Sequence, residues 1–128
     1  MATTTVIITS QSVAAQPGFC LAIVGDAVKA VSKKKTDITQ QWKKHETDGF
    51  FTFENASNSL YMCPDKSNPN NPNGVTCGED KFPWTFQNNT IRSSTEPSKA
   101  IKMVAKEEPV KFVTYDAANS SFFMWDIA

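Results

Sequence analysis

The 128-residue chain has one histidine, one arginine and three cysteines, and each scarcity excludes a class of chemistry. A zinc centre would need His45 together with Cys20, Cys63 and Cys77, at spacings unlike the paired C-x-x-C or H-x-x-x-H ligands of metal sites. No metal or other cofactor is therefore expected. The sequence also lacks G-x-S-x-G, a P-loop, G-x-G-x-x-G and H-E-x-x-H, so no nucleophile elbow or phosphate cradle is present. His45 follows Lys43 and Lys44 in an expected strand and reads as a solvated surface residue. Glu107 and Glu108, in a polar stretch before Pro109, read as solvated neighbours rather than an acid/base pair. The expected protein is not an enzyme. No apolar run reaches the ~18 residues needed to span a bilayer as a helix, so membrane insertion is not expected. Thirteen Lys+Arg balance thirteen Asp+Glu, with a pI near 6.6. That removes the basic excess of a general nucleic-acid binder. Lys33, Lys34 and Lys35 form a local basic run, but phosphate and base recognition favour the planar fork of arginine. The opening Met1-Ala2-Thr3-Thr4-Thr5-Val6 shows no signal-peptide pattern, which leaves a cytosolic chain or a secreted one whose signal was removed.

What the chain does have is enough apolar residue, 40% overall and 11% aromatic, for one core. Its three tryptophans, Trp42, Trp84 and Trp125, are spaced 42 and 41 residues apart. The same order of segments precedes each one. An alternating stretch opens each third: Val6 to Ser10, Phe50 to Glu54, and Thr90 to Ser94. Apolar stretches follow at Phe19 to Ile23, Leu60 to Cys63 and Ala100 to Val104. Shorter β-branched stretches lie at Val28 to Val31, Val75 to Cys77 and Lys111 to Tyr115. Their length and their Val, Ile, Thr and Phe content predict strands. Turn chemistry separates them, as at Gly25-Asp26, Asp48-Gly49 and Asn73-Gly74. Helical periodicity is absent; the nearest candidate, Val24 to Lys35, carries Gly25 and the lysine run. Twelve short strands in three pseudo-symmetric units of about 40 residues predict an all-β, β-trefoil domain over 1–128, with units near 1–47, 48–88 and 89–128. An antiparallel sandwich with irregular tryptophans is the alternative. The tryptophans are expected in the core with Phe19, Leu21, Ile23, Phe53, Met62, Phe86, Ile101, Met103, Val113 and Ile127.

Gln40-Gln41-Trp42 carries a further signal, because Q-x-W near the end of a repeat marks the ricin-B-type trefoils. The chain resembles that family over nearly its whole length, although Phe82-Pro83-Trp84 and Phe123-Met124-Trp125 keep only the tryptophan. It is similar in size to the small fungal trefoils, which include lectins and the mycocypin protease inhibitors. In ricin-type units a disulfide often joins the second and third strands. Cys63 and Cys77 lie at corresponding places, so the resemblance implies a Cys63–Cys77 bridge, with Cys20 as a small buried hydrophobe.

The resemblance also implies carbohydrate binding, by an acid after the second strand, an aromatic about ten residues before the tryptophan, an asparagine, and the Gln of Q-x-W. The first unit offers Asp26 and Gln40 but no aromatic. The second offers Asp65 alone. The third offers Tyr115, Asp116 and Asn119, with Glu107 or Glu108 as the acid, and is the best candidate. The alternative is a protein partner, such as a protease or a receptor, held by an exposed loop. Pro64 to Gly74, rich in Pro and Asn, has the stiffness such a loop needs. Sequons at Asn55, Asn88 and Asn119 would accept glycans in a secreted eukaryotic protein.

Overall fold

The computed structural model describes residues 2–12 and 18–128. Thirteen strands form, and the only described helices are short 3-10 turns at Ile38–Gln40 and Ala117–Phe123. The first third holds β1 (Ala2–Val6), β2 (Ile8–Ser10), β3 (Phe19–Val24), β4 (Ala27–Ser32) and β5 (Trp42–Thr47). The second holds β6 (Phe50–Asn55), β7 (Tyr61–Asp65), β8 (Gly74–Gly78) and β9 (Trp84–Gln87). The last holds β10 (Thr90–Ser93), β11 (Lys99–Lys102), β12 (Lys111–Thr114) and β13 (Trp125–Ile127).

Six ribbons close a barrel. β1 pairs with β5, β5 with β6, β6 with β9, and β9 with β10. A bridge between Thr90 and Met124 joins β10 to the last segment, and β13 pairs with β2 to complete the ring. Closure removes the open edges that a sandwich would leave. The hairpins β3–β4, β7–β8 and β11–β12 lie across one end. They hold one another through Lys111 opposite Gly74, Lys29 opposite Pro109, and a Thr76 hydroxyl donating to the Asp26 carbonyl at 2.6 Å. The barrel turns have the chemistry their geometry demands. Asp48 and Gly49 both take positive φ, as do Asn88 and Asn89, which matches two-residue hairpins of the left-handed type.

The predicted opening strand, Val6 to Ser10, is broken at Ile7, where the ribbon changes partners. β1 runs along β5, β2 runs along β13, and Ile7 exchanges backbone hydrogen bonds with Ala128 at 3.4 and 3.3 Å. The lysine run falls in an exposed turn after β4, not in a helix.

All three tryptophans are fully buried and make the same bond. Each indole N–H donates at 3.0 Å to a carbonyl of β3, β7 or β11 in its own third: Trp42 to Leu21, Trp84 to Met62, and Trp125 to Ile101. Leu21, Phe53, Met62, Ile101 and Met103 pack with them, while Phe86 and Ile127 reach the core only in part. Val113 is half-exposed and Phe112 takes the inward place, a shift of one residue along β12 that reverses its face.

The expected Cys63–Cys77 disulfide is not formed; all three cysteines are free. Register explains why. Met62 lies opposite Cys77 and Cys63 opposite Thr76, so Cys77 points inward with buried Met62 while Cys63 points to the other face. Burial pushes the Cys20 thiol up to about 11 and the Cys77 thiol up to about 12; the Cys63 thiol is also raised, mainly by burial. Unreduced protein, denatured and alkylated, should therefore carry three alkyl groups, whereas native protein at pH 8 should react slowly. A mass showing only one reactive cysteine would restore the bridge. Folded thiols keep protons that the unfolded chain releases near pH 9, so stability should fall as pH rises from about 9 towards 11.

Candidate functional site

The end of β12 and the 3-10 turn after it assemble a polar cluster around an aromatic ring. Asp116 caps the turn, its Oδ1 accepting the Ala118 amide at 3.0 Å, and its Oδ2 accepting the Asn119 side-chain amide at 2.8 Å. These bonds, first the one from Asn119, hold the exposed Asp116 carboxyl below its ordinary range, with Lys102 adding to the effect. The carboxylate is fixed in direction yet keeps lone pairs for a ligand. Beside it, the half-buried Tyr115 ring meets Phe123 edge-on at 5.0 Å. The Arg92 guanidinium lies 4.3 Å from the Tyr115 centroid, held there by bonds from Nε to Thr90 Oγ1 and from a terminal nitrogen to the Pro97 carbonyl.

Neither a protein-family model nor a curated protein sequence matches this chain. Solved structures do. The agglutinin of Rhizoctonia solani superposes with a TM-score of 0.76 at 16% identity, covering 99% of this chain and 95% of that one. The Macrolepiota procera ricin B-like lectin, solved in complex with lactose, gives 0.74 at 17% identity, covering 97% and 94%. ThreeFoil, a designed threefold-symmetric protein, gives 0.69 at 12% identity over 97% of both chains. The chain has the β-trefoil fold. Similarity at this level of identity speaks for the fold, and the site must be argued from the trefoil's own residues.

Of the residues singled out for sugar contact, the trefoil brings Tyr115, Asp116 and Asn119 together. Gln40 is 2% exposed and its amide is bonded internally. Its Oε1 accepts the Lys34 amide at 2.7 Å and the Cys20 thiol at 3.0 Å, and its Nε2 donates to the Ser32 carbonyl at 2.9 Å. Gln40 ties a loop down, with its Oε1 and one Nε2 hydrogen committed inside the fold. Asp26 sits in the β3–β4 turn beside the Asn/Pro loop, within 3.4 Å of the Asn68 amide. Glu107, at positive φ, bonds through its amide to Ala30 and lines a cleft with Val31, Lys33, Asp37 and Thr39, and so belongs with the first third instead of with Tyr115. That cleft has no aromatic lining. Asn55 is buried, donating to the Thr39 carbonyl and accepting from Ser57, so this sequon is closed to a glycan. Asn88 and Asn119 are exposed.

Sequence reasoning missed Arg92, which lies 23 positions before Tyr115, and Asp37, which caps the first 3-10 turn as Asp116 caps the last. An aspartate placed before each tryptophan strand was the available signal. Among the described residues no cluster of His, Cys, Asp and Glu is arranged to hold a metal, and no helix is long and apolar enough to cross a membrane.

Proposed function

We propose that the trefoil binds carbohydrate, as a lectin does, at Tyr115, Asp116 and Asn119. The observation that carries this reading is the Asp116–Asn119 pair fixed beside an aromatic ring. A carboxylate held ionised accepts hydrogen bonds from two adjacent sugar hydroxyls, and the Asn119 carbonyl supplies another acceptor. Arg92 retains N–H donors beyond the two already bonded, so it offers the complementary role to a ring oxygen or hydroxyl. With Arg92 over one face of Tyr115, the sugar would meet the remaining ring edge and hydroxyl. Support also comes from the fold shared with the Macrolepiota lectin.

A glycan array with intact protein is the test. Specific binding should fall by about tenfold or more in Asp116→Ala and Tyr115→Ala, each removing one well-placed contact. Gln40 variants that remain folded should bind normally. Binding that survives both site substitutions would remove this site from the reading.

One observation favours a protein partner as the second reading. The 64–74 loop is already ordered: Lys111 Nζ donates to Asn71 Oδ1 at 2.7 Å and to the Pro72 carbonyl at 3.0 Å, and the Phe112 amide donates to Asn73 at 2.7 Å. A loop tied in this way loses little entropy on docking. Silence across the array would direct attention to proteases and this loop.

A further inference from the structure

A second cleft, of about 420 Å³, opens beside β1, β5 and β6 and shares no lining residue with the Tyr115 cluster. Strand register builds it. Thr3, His45 and Thr52 stand in one row across β1, β5 and β6, with Thr47 opposite Phe50 in the next row on that face. Tyr61 from β7, and Lys81 and Pro83 ahead of β9, complete the lining. The cleft therefore combines ring faces, hydroxyls and one ammonium.

His45 is held at both nitrogens. Nδ1 lies 2.9 Å from Thr3 Oγ1, and Nε2 lies 2.9 Å from Glu54 Oε1. The imidazole thus has a fixed orientation, with its ring 6.4 Å from that of Tyr61. Lys81 Nζ sits 5.8 Å from the Tyr61 centroid and, among the described residues, makes no ion pair.

Charge narrows the ligand. Glu54, the carboxylate that meets this cluster among the described residues, is engaged by His45. Lys81 is the one lysine among the lining residues, and no carboxylate stands among them. Glu46 alternates to the opposite side of β5 from His45. Glu79 and Asp80 precede Lys81 but do not line the cleft. A ligand that matches the lining has an apolar ring face for Tyr61 and Phe50, hydroxyls for the threonines, and an anion for Lys81. A bare phosphate could accept from the hydroxyl row but would leave the ring faces uncovered, and its binding favours arginine forks.

We propose that this cleft is a separate site for a pyranose bearing a carboxylate, of the uronic or sialic acid kind. The inference shares with the lectin reading only its ligand class, and the two fail separately because their residues differ. The test is a 15N-HSQC titration of the full chain with tri-galacturonate and 3′-sialyllactose, alongside neutral lactose. At least one acidic sugar should move amides of residues 43–47, 50–54 and 81. Lys81→Glu, an exposed change, should weaken that response by about tenfold, the loss of one charge-assisted contact. Any lactose response at 115–119 should stay intact in this variant. Tyr61→Ala should weaken acidic-sugar binding in the same way, with tryptophan emission reporting that the core persists. The proposal is overturned if neither acidic sugar binds, if they move only 33–37 or 115–119, or if Lys81→Glu binds them as the parent does. A response at 43–47 and 81 with silence at 115–119 would uphold this site and refute the other.

Discussion

Trp84→Ala should lower the thermal midpoint by about 10–20 °C. Trp84 is fully buried, with Phe82 at 4.7 Å and Phe112 edge-on at 5.5 Å, so its removal leaves a cavity that two aromatics line. Loss of a buried Trp side chain costs about 3–5 kcal/mol, against a total stability on the order of 5–15 kcal/mol. The Met62 carbonyl also loses its donor. Trp84→Phe separates the two effects: it keeps most of the packing and leaves the carbonyl unpaired, at a cost of about 1–3 kcal/mol. Because Trp42 and Trp125 make the same bond, their alanine variants should fall in the same range. Melts followed by near-UV circular dichroism measure all three. A Trp84→Ala protein melting with the parent would contradict the role assigned to the repeated indole bond.

That repeated bond explains how much was legible in advance. The tryptophan spacing and the β-branched segments report the architecture directly, because each third must bury the same ring against the same strand. Asp48-Gly49 announces its hairpin because few other residues tolerate two consecutive positive φ values. Other features depend on partners that no local pattern names. Ile7 interrupts its strand because Ala128, at the far end of the chain, pairs with it. Whether Cys77 faces Cys63 depends on register, and a shift of one residue changes the face. Phe112 and Val113 are both apolar, so alternation alone did not choose between them.

The candidate site divides in the same manner. Tyr115, Asp116 and Asn119 were found together because they lie within five consecutive residues and a capped turn joins them. Glu107 belongs to the same third but leaves the cluster because its backbone is bonded to Ala30. Arg92 arrives from another strand. His45 read as a solvated lysine-flanked residue, since its partners Thr3 and Glu54 come from strands on either side. Cross-strand neighbours of this kind become visible only once pairing is known.

Gln40→Leu distinguishes a ligand contact from a structural tie at the one position where the ricin-type signature is complete. If Gln40 held a sugar, the variant would keep its stability and lose binding. The bonding pattern points the opposite way: leucine leaves the Lys34 amide and the Ser32 carbonyl without their side-chain partner, and the Cys20 thiol without its acceptor. The cost should be about 2–4 kcal/mol, because buried polar groups left unpaired lose their solvation without replacement. Chemical denaturation should show it as a lower midpoint with an unchanged slope, since the surface exposed on unfolding stays the same. Glycan binding measured below the unfolding transition should remain at the parent level. Gln40→Glu sharpens the comparison, because a carboxylate still accepts from Lys34 but cannot donate to the Ser32 carbonyl. It should be destabilised as well, and more so at neutral pH than in acid, where protonation restores a donor. Such a pH dependence requires the amide N–H itself to be what holds the loop against the barrel.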